Sequence, residues 1–251
     1  MYHIDPDHFW NLFSGRKVTI CWSSDGTTTS RASVLRTGFE SWEPQPLRDT
    51  VDNIYGVYSQ TCGAFTSALP YLPGRQTRET HLGIKALRYG GLADSYSVDR
   101  GSLCYFRVFD INLYIRPGTW LIYWIYPTSD SPLNKYIGLD LLCTDGTRLK
   151  DSGAVDTRGA SMHPADGHIE PFYGSPTIFN GQWNQIKCNV GRWLAGKIVD
   201  KIYLSFEVPS HLWGTPWGQG RGYFSGNIDT IYLGHTPGGQ LGNVGLTTIT
   251  R

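Results

Sequence analysis

The chain has 251 residues, 40% of them hydrophobic and 17% charged, with a formal net charge of +1. This is enough apolar material for one large all-β domain or two small ones, and the near-zero charge argues against nucleic acid or an anionic membrane as partner, since both select a basic surface. No apolar run reaches the ~20 residues that span a bilayer, and the five cysteines (Cys21, Cys62, Cys104, Cys143, Cys188) contain no C-x-x-C pair, which argues against zinc.

The start, M-Y-H-I-D-P-D, lacks the basic and apolar regions of a signal peptide. That fits an intracellular protein or one whose signal has been removed. A short helix is expected at 7–13. Beyond it the chain reads as short β runs at 17–21, 32–39, 85–89, 104–115, 119–126, 137–143, 184–189, 201–207 and 227–233. In these runs β-branched and aromatic residues alternate with polar ones, the period-2 signal of half-buried strands. With 30 Gly and 14 Pro in the connections, the pattern favours an all-β jelly-roll β-sandwich over a propeller. No linker composition marks a boundary. One domain over 32–251 is expected, with an N-terminal extension, 1–31, packed on it. The odd cysteine count leaves at least one thiol free, with one disulfide or none.

Within 119–126, alternation sends Trp120, Ile122, Trp124 and Tyr126 to one face and Leu121, Tyr123 and Ile125 to the other. Within 137–143, Asp140 stands opposite Ile137, Leu139, Leu141 and Cys143. Its face is either plain solvent or the floor of a concave site. The loop 143–162 follows, with Asp145-Gly146 as a turn and Asp151, Ser152 and Asp156 expected to bond its own backbone. Arg158, His163 and His168, at its far end, are the members able to face a ligand; a solvated surface or an internal ion pair explains them as well.

The aromatic content is high, with 9 Trp and 15 Tyr. Trp120, Trp124, Tyr126, Tyr173, Trp213 and Trp217 form a set that core packing explains in part. The rest suits either sugar stacking or enclosure of a hydrocarbon. Nucleophilic catalysis finds no support: there is no G-x-S-x-G elbow, no Cys/His signature and no H-E-x-x-H. Asp140 and Glu207 are the only nominees for a glycosidase pair, and their spacing does not demand one.

Several segments in order carry a resemblance. They are Gly38-Phe39-Glu40 with Pro44-Gln45-Pro46; Thr80-His81-Leu82-Gly83 before Lys85-Ala86-Leu87-Arg88-Tyr89; Tyr123-Trp124-Ile125-Tyr126-Pro127; and Leu139-Asp140 with Thr144-Asp145-Gly146-Thr147. After these come Asp151-Ser152-Gly153-Ala154-Val155-Asp156, Gln182-Trp183-Asn184, the run 195–202, and Phe224-Ser225-Gly226-Asn227-Ile228-Asp229. Over about 32–235 this set resembles the galactose-binding-like β-sandwich attached to actinobacterial family 92 glycoside hydrolases. The first thirty residues and the stretch 55–73 depart from it, and 212–217 is expanded. As a free-standing aromatic-rich sandwich the chain is also similar, in architecture and size, to fungal hetero-Diels–Alderases of tropolone–sesquiterpene pathways.

The first resemblance implies a structural Ca²⁺ held by Glu40 and Asp229 with loop carbonyls near 80–85, a site that suits oxygen-only ligation. Strand-end capping is the alternative role for the two carboxylates. The second implies a cycloaddition between a tropolone o-quinone methide and a humulene-type sesquiterpene. Arg158, His163 and Tyr126 would polarise the tropolone oxygens, and Trp120, Trp124, Asp140, Tyr173, Trp213 and Trp217 would bind substrate, a small hydrophobic or polyketide-derived molecule. No organic cofactor is expected for this chemistry, which would rest on orientation and placed donors. The alternative is a non-catalytic carbohydrate-binding module or lectin in which Trp124, Asp140 and loop residues hold a glycan.

Overall fold

A computed structural model describes residues 34–41, 43–66, 85–93, 101–128, 131–169, 174–209 and 222–235. The expected extension 1–31, the helix at 7–13 and the strand at 17–21 lie outside the described residues, as do Cys21, Tyr173, Trp213 and Trp217. Among the described residues there are ten strands: β1 (Val34–Thr37), β2 (Val51–Tyr55), β3 (Val57–Thr66), β4 (Lys85–Ala93), β5 (Ser102–Tyr114), β6 (Thr119–Pro127), β7 (Ile137–Cys143), β8 (Asn184–Cys188), β9 (Ile198–Val208) and β10 (Gly222–His235). One four-residue helix, α1 (Gly191–Leu194), joins β8 to β9.

All pairings are antiparallel and form two sheets. The larger runs β3-β4-β10-β6-β8, with β1 also paired to β10, and the smaller runs β2-β5-β9-β7. From β4 to β10 every successive strand changes sheet, the winding of a jelly roll. This is the all-β sandwich expected from the alternation. β2 and β3 were not expected; the stretch 55–73 read as an insertion. They pass directly from one sheet to the other through Gly56, whose φ of 59° is the left-handed conformation that glycine adopts without strain.

The core lies between the sheets. Leu121, Tyr123 and Ile125 of β6 face Leu139 and Leu141 of β7, Leu204 and Phe206 of β9, and Phe224 and Ile228 of β10. Phe206 and Phe224 stack across it with ring centroids 3.8 Å apart. Two glycines make room for aromatics on the neighbouring strand. A Cβ on Gly91 would meet the Phe224 ring at 2.6 Å, and one on Gly226 would collide with the Tyr89 hydroxyl.

β7 is an edge strand whose free backbone groups are almost all satisfied. Leu139 N–H donates to the Tyr123 hydroxyl at 3.3 Å, and Ile137 C=O meets His168 Nε2 at 2.9 Å. Leu149 N–H donates to Leu141 C=O at 3.0 Å, and Cys143 N–H to Thr147 C=O at 2.8 Å. Covering an edge this way denies it to another chain. In β10 a β-bulge falls between Asp229 and Tyr232, and Thr230 there has a φ of 53°, rare for a β-branched residue.

The loop 144–168 bridges the two edge strands β7 and β8: Leu149 N–H reaches Leu141 C=O, and Thr157 N–H reaches Lys187 C=O. Asp156 satisfies the loop's own donors as expected, whereas Ser152 Oγ donates to Leu149 C=O at 2.7 Å and Asp151 pairs with Lys150 Nζ at 3.2 Å. Asp145 accepts from Thr147 N–H at 3.0 Å at the head of the turn. Asp156 accepts from Arg158 N–H at 2.8 Å and Ala160 N–H at 3.0 Å. Among the described residues no helix is long and apolar enough to cross a membrane.

Candidate ligand-binding site

The outer face of the six-stranded sheet carries the aromatic set that alternation assigned to it. Trp120, Ile122, Trp124 and Tyr126 of β6 all point outward. The register places Lys187 and Gln185 of β8 beside Ile122 and Trp124 on one flank. On the other, Tyr232, Asp229 and Asn227 of β10 stand opposite Ile122, Trp124 and Tyr126. Trp183, just ahead of β8, packs against Tyr126 with ring centroids 5.4 Å apart at 55°. The Asn184 side chain positions Trp183 by donating to Phe179, Gln182 and Ile125 carbonyls while accepting from Phe179 N–H at 3.0 Å.

Asn227 is the residue that marks this face. It is 1% exposed, flanked by Tyr126 on β6 and Arg88 on β4, and among the described residues neither its Nδ2 nor its Oδ1 has a hydrogen-bond partner. A buried amide left unpaired costs on the order of 1–3 kcal/mol, so such a group in a folded protein calls for an explanation. One donor and one acceptor side by side, buried beneath this aromatic wall, have the composition to meet a pair of hydroxyls on a ring that stacks on Tyr126 and Trp183, once an overlying side chain moves aside to admit them. Asn227 lies in the Phe224–Asp229 segment that carries the sequence resemblance, but its lack of a partner among the described residues has no sequence signal.

The outer face of the four-stranded sheet is built differently. Arg148, on the loop after β7, folds its guanidinium over the Tyr105 and Tyr203 rings at 4.5 and 5.0 Å from their centroids. Its Nε donates to Asp140 at 2.8 Å. Asp140, with no exposed surface, also accepts from Leu141 N–H at 2.9 Å and Lys150 N–H at 3.0 Å. Burial pushes its carboxyl up, while Arg148 and those N–H groups pull the other way. The face is therefore neither plain solvent nor an open floor. It is a closed polar layer under the loop.

This corrects two expectations. Asp140 lies on the opposite sheet from Trp124, so it cannot join that aromatic wall. Nor do Asp140 and Glu207 flank a groove: Glu207 is engaged by the Tyr105 hydroxyl and by Lys150 Nζ at 2.9 Å.

The expected donor trio is not assembled on one surface. Tyr126 stands on the six-stranded sheet. Arg158 is tied to Asp156 at 3.0 Å and donates from Nη1 to Thr177 C=O at 2.6 Å. His163 caps a 3-10 turn, its Nδ1 accepting from Ala165 N–H at 3.2 Å, with Nε2 3.8 Å from Glu207. His168 is fully inside; burial lowers it to about 4, so it stays neutral. Cys62, Cys104, Cys143 and Cys188 are free and buried, and burial pushes each thiol up, Cys143 to about 11 and Cys104 and Cys188 to about 12. None of the four is a poised nucleophile.

Glu40 and Asp229 each accept from a backbone N–H near the turn after β1. Glu40 Oε1 accepts from Lys85 N–H at 3.0 Å, and Asp229 Oδ1 from Thr230 N–H at 2.6 Å. Between them Glu43 Oε2 accepts from Gly38 N–H at 2.6 Å and Glu40 N–H at 3.1 Å. A Cβ on Gly38 would lie 3.3 Å from Glu43 Oε2 and 3.4 Å from Asp229 Oδ1. This all-oxygen donor set is of the type calcium takes. Among the described residues, however, no three acidic, histidine or cysteine side chains converge closely enough to hold a metal.

No protein-family model and no curated protein matches the chain. Among solved structures it is similar to carbohydrate-binding modules of the β-sandwich superfamily, at 11% identity over 82% of this chain and 62% of that one, with a TM-score of 0.41. It is also similar to the glycoside hydrolase domain of Endo-D from Streptococcus pneumoniae, at 11% over 82% and 28%, TM-score 0.39. A third is the CBM22-2 xylan-binding domain of Xyn10C from Paenibacillus barcinonensis, at 8% over 80% and 99%, TM-score 0.37. The chain spans less than two thirds of the length of the first two. TM-scores this low assign neither family nor function.

Proposed function

We propose that this sandwich is a non-catalytic carbohydrate-binding module whose site is the outer face of the six-stranded sheet. The observation that carries the reading is the buried, unpartnered Asn227 amide beside the Tyr126–Trp183 ring pair. Sugars offer apolar C–H faces to aromatic rings and paired hydroxyls to an amide, so one ring satisfies both. Trp124 and Trp120 extend the wall along β6. A glycan array followed by titration of the hits tests it. Binding that disappears in Asn227→Ala and Trp183→Ala supports the reading; binding indifferent to both overturns it.

A cycloaddition catalyst is the second reading, favoured by the same aromatic wall together with the closed state of the four thiols and of Asp140 and Glu207. The chemistry would need no nucleophile. Tyr126 and Asn227, rather than Arg158 or His163, would hydrogen-bond the tropolone oxygens, with Trp120 and Trp124 against the humulene ring. Acceleration of adduct formation between the o-quinone methide and the sesquiterpene, lost in Tyr126→Phe, would favour this reading over the first. We also propose that Ca²⁺ braces the turn after β1 through Glu40 and Asp229, with no part in binding.

A further inference from the structure

Beyond the ring pair, the turn that holds Trp183 has a second side. Phe179, 48% exposed, sits at its start and lines a cleft of about 300 Å³ with Ile169 and Ile178 as apolar wall. This volume is at the small end of ligand pockets, room for about one ring. The polar lining is one-sided in its chemistry. Lys135 supplies an ammonium, Asn180 an amide, and Ser131 a hydroxyl whose oxygen already accepts from Leu133 N–H at 3.2 Å, leaving its O–H to donate outward. Among the described residues no carboxylate lines the cleft.

Among the described residues Lys135 makes no ion pair with a carboxylate; its ammonium rests over the Tyr136 ring at 5.1 Å. Tyr136 is fixed in turn, because Gly167 packs where a Cβ would come within 2.9 Å of its ring. An isolated surface lysine is ordinary. A lysine steadied on an aromatic ring, in a concavity whose described lining adds two further donors and no acid, has the composition of an anion receptor.

We infer that this cleft is a subsite reading an anionic substituent, a carboxylate or sulfate ester, on a sugar ring that stacks on Phe179. The inference rests on the carbohydrate reading above and specifies its ligand: an acidic glycan, with one ring at Tyr126–Trp183 and an acidic ring across the 179–184 turn. The Asn184 side chain locks that turn, so the two platforms keep a fixed relation.

Backbone amide NMR of the whole chain tests it, with glucuronate, galacturonate, their methyl esters, glucose 6-sulfate and inorganic sulfate as probes. The expected result is saturable shifts at Ile178, Phe179 and Asn180 for the acids or the sulfate ester. Their affinity should be several-fold above that of the neutral esters, and Lys135→Gln should remove that difference. Equal response to acid and ester, or an unchanged preference in Lys135→Gln, overturns the inference. So does inorganic sulfate binding as tightly as the sugars, since the ring would then contribute nothing. If neutral sugars shift the Trp183 and Asn227 region while the cleft stays silent, the subsite falls and the carbohydrate reading stands. If no sugar shifts either region, the carbohydrate reading falls with it.

Discussion

Asp140 and Arg148 form an ion pair 2.8 Å long in which the carboxylate has no exposed surface and the guanidinium is wedged over two tyrosine rings. Burial opposes the Arg148 charge, yet Asp140 holds the group above the ordinary arginine range. Removing one member strands the other. Arg148→Met should therefore lower unfolding stability by about 3 kcal/mol or more in denaturant titration. Arg148→Lys should recover little of that, because an ammonium lacks the flat fork that spans Tyr105 and Tyr203. Neutral behaviour of Arg148→Met would show that the layer is dispensable.

Asn227 should show the opposite signature. Its amide has no partner to lose among the described residues, so Asn227→Ala should leave the melting temperature unchanged or raise it slightly, while glycan affinity drops tenfold or more. Binding sites often carry such a local cost to stability. A loss of both stability and binding would mean that the amide is structural.

His168 gives a pH dependence whose sign is fixed. Its folded pKa, about 4, is below the unfolded value of 6.5. The unfolded chain therefore binds the extra proton first as pH falls, and stability is lost between about pH 6.5 and pH 4, by up to roughly 3 kcal/mol. His168→Asn, a residue that tolerates the local φ of 46°, should be less stable at pH 7 because it is too short for the bond to Ile137 C=O. Its stability should also be flatter across that window. Denaturant midpoints at pH 4.5, 5.5 and 7 for both proteins check this.

If calcium braces the turn after β1, EDTA should lower the melting temperature by several degrees and Asp229→Asn should abolish the response. No shift with EDTA would leave Glu40 and Asp229 as caps on backbone N–H groups.

What the sequence disclosed depended on how local the signal was. Trp120 to Tyr126 alternate without interruption, so the outward face of β6 could be assigned directly, as could the Asp145-Gly146 turn, where Gly146 adopts a φ of 85°. β3 escaped notice because its middle, Ser59-Gln60-Thr61-Cys62-Gly63, is small and polar, and only pairing with β4 makes it a strand. The burial of Asp140 was equally hidden. It depends on Leu149 turning back to bond Leu141, which swings Arg148 and Lys150 over a face that alternation alone would leave open. Likewise, the partnerless amide of Asn227 belongs to a neighbourhood of three strands.

The bulge in β10 acts as a phase shifter. One added residue between Asp229 and Tyr232 lets both side chains face outward although they are three positions apart, and returns Ile231 and Leu233 to the interior. Removing Thr230 would therefore relieve the unusual φ and leave the faces as they are, because Asp229 and Tyr232 would then stand two positions apart, the spacing of ordinary alternation. The downstream pattern is readable in sequence only once that extra residue is counted.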